Sequence, residues 1–240
     1  MAKKSTRTAQ TRNGGDRRQS NRRRIARAGG AAKRNARREP LLIATTNPDK
    51  LREIVAILGD LPLELKTLKD FPAVRAAEEI GATFAEIARE KARHYAKATG
   101  MLTVAEDSGF EVDALNCEPG IYSARYLRPN ATYPERFDAI YKAIGKAGGK
   151  KQKAGQNKSA RFVCALALAS SRDILFETKG VVEGQLADKP SGSGGFGYDP
   201  IFCYPPYGKT FGEVSSERKT AVSHRGEAIR ALKSHLEQNL

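Results

Sequence analysis

The hydrophobic pattern begins with a continuous run, Leu41-Leu42-Ile43-Ala44, which predicts a short strand buried on both faces. Asn47 then offers an N-cap and Pro48 an N1 residue. Leu51, Ile54, Val55 and Leu58 share one helical face, and Gly59 can close the helix. Leu63 to Leu68 alternates as a strand does, and Thr83 with Glu86 forms a capping box. The helix that follows turns Phe84, Ile87, Ala88 and Tyr95 to the core and ends at Gly100. Leu102 to Ala105 reads as another buried strand, and Thr132 to Ala147 as a helix with Phe137, Ile140, Tyr141 and Ile144 inward. Gly145 to Ser159 is a Lys/Gly/Gln loop. Arg161 to Ala169 and Ile174 to Leu186 flank Ser171-Arg172-Asp173 as a hairpin, and a last helix runs from about Ala221 to Asn239. Strands that first alternate with helices and then pair as a hairpin predict an α/β fold on a mixed sheet. No internal repeat is visible.

Charge divides the chain. Residues 1 to 40 hold 14 Lys/Arg against Asp16 and Glu39, a net of +12, whereas the remainder holds 28 basic and 25 acidic groups. Residues 1 to 39 carry Ile25 as the only large aliphatic after Met1, too little to offset the entropy of ordering, and are expected to be a disordered basic tail before a domain spanning 40–240. Such a tail suits contact with nucleic acid or an acidic partner, or is a solvated extension with no dedicated partner. Cys117, Cys164 and Cys203 have neither disulfide-framework nor zinc spacing, which fits a reducing cytoplasm. No apolar run reaches the ~18 residues of a membrane span, and no secretory apolar segment opens the chain, so a protein that is neither membrane-bound nor exported is expected.

Four polar clusters fall where a strand is expected to end or a helix to begin, the usual place for ligands in α/β folds. Thr45-Thr46-Asn47-Pro48-Asp49-Lys50 gathers hydroxyls, helix-terminal N–H groups and an ammonium suited to phosphate, without the glycines of a Walker A loop. In Glu106-Asp107-Ser108-Gly109, with Glu78 and Glu79 upstream, clustered carboxylates call for a cation such as Mg²⁺ and can include a general base. The stretch from Ser191 to Pro200 joins small residues that permit close backbone approach to Phe196 and Tyr198, whose rings suit a flat base. Lys219 and Ser223-His224-Arg225-Gly226 place donors at the head of the last helix. Each cluster also has a structural reading: a capped helix, a solvated acidic turn, a flexible connector, and a structural histidine.

Together these clusters, with Glu78-Glu79-Ile80-Gly81-Ala82-Thr83-Phe84 and Pro119-Gly120-Ile121-Tyr122-Ser123-Ala124-Arg125, resemble the inosine triphosphate pyrophosphatase family, known in bacteria as non-standard purine NTP pyrophosphatases. The resemblance covers residues 41 to 240 and leaves out the tail. It implies a two-lobed α/β fold with a long central mixed twisted sheet flanked by helices, an active-site cleft between the lobes, and a homodimer. The activity implied is hydrolysis of ITP, dITP and XTP to the monophosphate and pyrophosphate, clearing them from the nucleotide pool. Asp107 is then the catalytic base and a Mg²⁺ ligand, with Glu78, or its neighbour Glu79, as the second metal carboxylate. Thr45, Thr46, Asn47, Pro48, Asp49, Lys50 and Lys219 would hold the triphosphate, Ser108 would touch substrate, and Phe196, Gly197, Tyr198, Asp199, His224 and Arg225 would enclose the base. Arg225 and backbone N–H groups near Tyr198 are the candidate donors to a purine O6. Glu106 stands where many bacterial members have Asp, and the lysine-rich Gly145–Ser159 loop is longer than usual. A nucleic-acid-binding protein dominated by its tail, and a pyrophosphatase for modified pyrimidine nucleotides, are the competing readings.

Overall fold

The computed structural model of the chain describes residues 39–147 and 158–239. The expectation of a disordered tail falls outside the described residues except at Glu39, which already belongs to the first strand. Most of the Gly145–Ser159 loop also lies outside them.

β1 (Glu39–Ile43) leads into α1 (Pro48–Leu58), which Asn47 caps by accepting from the N–H groups of Asp49 and Lys50. Val55, expected inward, is 40% exposed, because the buried face runs through Glu53, Ile54 and Leu58 instead. β2 (Leu63–Thr67) follows, then α2 (Phe84–Thr99), capped by Thr83 and ended by Gly100 in the left-handed region at φ 70°. β3 (Leu102–Val112) is followed by β4 (Glu118–Pro119) and by α3 (Tyr133–Ala147). The long hairpin β5 (Ser159–Ala169) and β6 (Ile174–Leu186) precedes two short strands, β7 (Phe202–Tyr204) and β8 (Lys209–Thr210). α4 (Ser216–Val222) and α5 (His224–Asn239) close the described chain.

The strands form one mixed sheet of eight, ordered β2-β1-β3-β5-β6-β7-β8, with β4 beside β3. β2, β1 and β3 are parallel, and every pairing beyond β3 is antiparallel. Two expectations need correcting. β3 does not stop at Ala105: it continues through the acidic motif to Val112, because β5 pairs with it residue by residue from Thr103 to Val112. Nor is the last helix continuous. Ser223, extended at ψ 153°, breaks it, and its hydroxyl accepts from the N–H of Gly226, so that α5 starts afresh at His224.

Along one face of β3, Val104 enters a core built with α1 and α5, whereas Phe110 and Val112 enter a second core with Phe137, Phe162 and Phe202. Between them on that face stand Glu106 and Ser108, since strand side chains alternate. The other face, with Ala105, packs on Phe84, Ala88 and Ala92 of α2. The polar interruption between two cores is where the expected lobes part. β1 pairs with β3 only at Leu102–Val104, and β4 only at Glu111–Val112, so among the described residues the edge from Ala105 to Gly109 has no strand partner, while the N–H of Phe110 donates to Ser123 Oγ at 2.9 Å. α5 approaches the sheet at Gly180 of β6, where a Cβ would fall 2.0 Å from the His224 carbonyl oxygen.

Candidate active site

A concave site lies at this edge, lined among others by Asn47, Lys50, Ser108, Phe196, Lys219 and Arg225. The C-terminal end of β1 delivers Thr45 to Lys50, the middle of β3 delivers Glu106 to Ser108, and the break at Ser223 delivers His224 and Arg225. Lys219 comes from α4, one helix earlier than the sequence pattern suggests.

Its floor is a buried ion-pair cluster. Glu106 accepts from Lys50 Nζ at 2.9 Å and from Arg225 Nε at 3.4 Å. Glu53 of α1 accepts from Arg225 Nη1 at 2.7 Å and from Lys219 Nζ at 3.0 Å. Lys219 also donates to Asp199 Oδ2 at 2.6 Å, and Arg225 Nη2 donates to Ser108 Oγ at 2.8 Å. Three cations thus meet three carboxylates, which offsets the cost of removing each from water. Burial drives the Glu106 carboxyl up, but Arg225 and Lys50 outweigh it and hold it far below the usual carboxylate range. Burial dominates at Asp199 and raises its pKa despite Lys219.

Asp107 points to the opposite face of β3, toward α2, where Lys91 Nζ stands 3.7 Å from its Oδ1. The same ammonium lies 3.3 Å from Glu79 Oε1, and Arg125 Nη1 lies 3.0 Å from Glu79 Oε2. Burial pushes Asp107 up to about 6, against the pull of Lys91 and Lys50 and with help from Glu106 and Glu79. Adjacent carboxylates therefore shift in opposite directions, as the number and distance of their cations dictate.

Glu78 is exposed and lines a separate groove with Arg75, Glu90 and His94. Glu79 is the member of the pair that reaches Lys91 beside Asp107. In the first cluster, Thr45 Oγ1 accepts from the N–H of Asn47, Thr46 and Pro48 are exposed, and Asp49 pairs with Arg52. Phe196 lies under the Lys219 ammonium, 4.3 Å from the ring centroid, and the Arg225 guanidinium, 5.4 Å away. Gly197 has φ 67°, a left-handed conformation that suits glycine. Tyr198 stacks on Phe110 at 5.2 Å and donates to the Ser123 carbonyl at 2.8 Å. His224 stacks on Phe162 at 4.9 Å, and its Nδ1 is buried without a partner among the described residues. Desolvation, reinforced by Arg225 and Lys219, lowers its pKa well below the ordinary value, so the imidazole is neutral.

Sequence reasoning missed Glu53 and Lys91. Lys91 had a signal: it occupies the same helical face as Phe84, Ile87, Ala88 and Tyr95, where a charge is unexpected. Glu53 lies three residues after Lys50, beside Ile54, and only the tertiary approach of α5 gives it a purpose.

The Ham1 family model matches residues 41–235. A dITP/XTP pyrophosphatase of Geobacter sulfurreducens is 42% identical over 196 residues, covering 82% of this chain and 96% of the relative. One from Thermus thermophilus is 46% identical over 192 residues, covering 80% and 89%. Among solved structures, a HAM1 protein from Coxiella burnetii superposes with a TM-score of 0.76 at 38% identity, over 83% of this chain and 99% of that one.

Proposed function

This chain belongs to the Ham1 family, and from that premise we propose that it hydrolyses the non-standard purine nucleotides ITP, dITP and XTP to the nucleoside monophosphate and pyrophosphate. The observation that carries the reading is the division of labour across β3. Glu106 anchors a cationic floor of Lys50, Lys219 and Arg225 on one face, while Asp107, poised near neutrality, stands beside Lys91 on the other.

In this reading, water attacks the α-phosphorus while the bond from that phosphorus to the oxygen bridging to the β-phosphate breaks, and pyrophosphate leaves. Asp107, whose carboxyl burial raises to about 6 in the metal-free protein, would orient that water and accept its proton. Lys91 keeps Asp107 oriented, and Lys50 with the α1 N-terminus faces the phosphate oxygens. Asp107 and Glu79 face one cation, the Lys91 ammonium, at 3.7 and 3.3 Å, and carboxylate oxygens of this kind suit Mg²⁺. A Mg²⁺ ion bound there would neutralise charge developing on the phosphate oxygens. Among the described residues no group of three or more His, Cys, Asp or Glu could hold a metal, so water and substrate phosphates would have to supply the remaining ligands.

Base selection is assigned to the pocket around Phe196. In this reading the N–H groups of Arg225 not engaged by Glu53, Glu106 and Ser108 would turn to a 6-oxo purine. A 6-amino group would bring a donor against donors and leave them unpaired. A homodimer working in the cytoplasm completes the proposal, on the strength of the sequence resemblance. The test is pyrophosphate release from ITP, XTP, ATP, GTP and dUTP, with and without Mg²⁺. Metal-dependent turnover of ITP and XTP far above the other three is expected, and equal rates on ATP, or turnover of dUTP alone, would refute the reading.

A further inference from the structure

Tyr133 belongs to none of the six motifs, yet it lines the same cleft as Lys50 and Lys219, beside Gly197. It is the first residue of α3, following Thr132, whose N–H donates to the Glu135 carboxylate at 2.7 Å in a reciprocal cap. The helix start therefore fixes where the ring emerges. Arg136 covers the ring at 4.9 Å, and that guanidinium is itself buried and tied to the carbonyls of Tyr126 and Pro129 at 3.3 Å each. Tyr198 meets the ring edge-on at 5.4 Å. Although clamped in this way, Tyr133 remains 37% exposed, a large share for an aromatic whose role is packing.

The hydroxyl has a defined place. A Cβ built on Gly197 would fall 3.6 Å from Tyr133 Oη, so the phenol end abuts the loop that carries Phe196. Burial raises the phenol pKa against the influence of Arg136, and Asp199 and Asp49 raise it further, so the group lies within the field of both the base loop and the α1 N-terminus. In a nucleoside triphosphate the sugar is the part that joins base to phosphates. With the base against Phe196 and the phosphates at Asn47 to Lys50, the sugar must pass between them.

Building on the proposed function, we propose that Tyr133 is a substrate contact, its hydroxyl hydrogen-bonding the sugar of the bound nucleotide. Because the ring is already held by Arg136 and Tyr198, little side-chain entropy is lost when the contact forms. The bond serves ground state and transition state alike, so its loss appears in KM rather than kcat.

Tyr133→Phe keeps the ring and its cation contact and removes only the oxygen. Steady-state kinetics with ITP and dITP, calorimetric binding of IMP, and the melting temperature of the full chain are compared with wild type. KM for ITP is expected to rise about threefold to tenfold, the scale of one neutral hydrogen bond, with kcat within about twofold. IMP affinity should weaken by the same factor while the melting temperature stays unchanged. Loss confined to ITP assigns the contact to the 2′-hydroxyl, and equal loss with dITP assigns it to a sugar oxygen common to both. Unchanged KM for both substrates with unchanged IMP affinity overturns the inference, as does a fall in melting temperature in step with kcat, which would mark the hydroxyl as structural. If the wild-type chain releases no pyrophosphate from either nucleotide, the pyrophosphatase reading fails instead, and IMP binding still decides whether Tyr133 touches a nucleotide.

Discussion

Glu53→Gln tests whether the cleft floor is a balanced ionic unit. The carboxylate receives Lys219 at 3.0 Å and Arg225 at 2.7 Å, with its side chain 10% exposed. Burial alone would raise its pKa, but Arg225 and Lys219 more than compensate and hold it below the ordinary value, so Glu53 is ionised in the folded protein at pH 7. The amide leaves one positive charge unmatched among Lys50, Lys219 and Arg225. Removing one partner of a buried pair costs about 3–5 kcal/mol. Because glutamine keeps one acceptor oxygen, about 2–3 kcal/mol is expected here, which for a domain of this size is about 4–12 °C in melting temperature. A carboxyl with a depressed folded pKa contributes stability that is present above its unfolded pKa and lost as pH falls. The gap between wild type and variant should therefore be full at pH 7 and shrink below about pH 4.5, the ordinary value of this group. Freed from their shared anchor, Lys219 and Arg225 should also serve substrate less well, with kcat/KM for ITP falling about tenfold or more. Thermal melts at pH 7 and pH 4, together with pyrophosphate release, measure both effects. A variant that melts within 1 °C of wild type (on the order of the scatter of such melts) and keeps its kcat/KM would refute the account.

Asp107→Asn should lower kcat by about a hundredfold or more while the melting temperature is kept or raised, because a base is lost but a desolvated charge is relieved; near-normal turnover would sink the assignment. Neutral, buried His224 makes folding lose on the order of 1.4 kcal/mol per pH unit below about 6.5, where the unfolded chain takes up a proton that the folded one refuses. Urea denaturation at pH 7.5 and 5.5 should show that share of the slope missing from His224→Gln, and identical pH dependence in the two proteins would count against it. Deleting residues 1 to 38 should leave kcat and KM for dITP within about twofold, since every cleft residue lies after Ala44; a large loss of activity would mean that the basic segment reaches the cleft.

Elements with local signals were legible in the sequence. Of Leu41 to Ala44, fully apolar and buried, all but Ala44 lie in β1, and Asn47 and Thr83 cap the helices their side chains announce. The hairpin was found to within two residues at its start, because its β-rich runs flank a short polar turn. The length of β3 was not legible. Glu106, Asp107, Ser108 and Gly109 read locally as a loop, and only the ladder to β5, more than fifty residues downstream, keeps them extended. The break at Ser223 has no proline or glycine at the joint to signal it. It follows from the new cap to Gly226, which packs so closely that a Cβ there would meet the Thr220 carbonyl at 2.0 Å.

The acidic motif brings two carboxylates together without saying what each does. Glu106 and Asp107 are consecutive carboxylates in one motif, and nothing in their order separates a structural ion from a base. Strand alternation separates them. Glu106 faces α5 and α1, where Arg225 and Lys50 approach within 3.4 and 2.9 Å, and such a carboxylate is too strongly held to accept a proton near neutrality. Asp107 faces α2, where one ammonium stands off at 3.7 Å and burial outweighs it. Between β1 and β4 the edge of β3 lacks a strand partner among the described residues, and in the proposed reading the phosphates of a nucleotide bound among Asn47, Lys50 and Phe196 would cross that edge to reach Asp107. In that reading the interrupted pairing of β3 would let two carboxylates on opposite faces of one strand serve a single active site, where a fully paired strand would keep them in separate compartments.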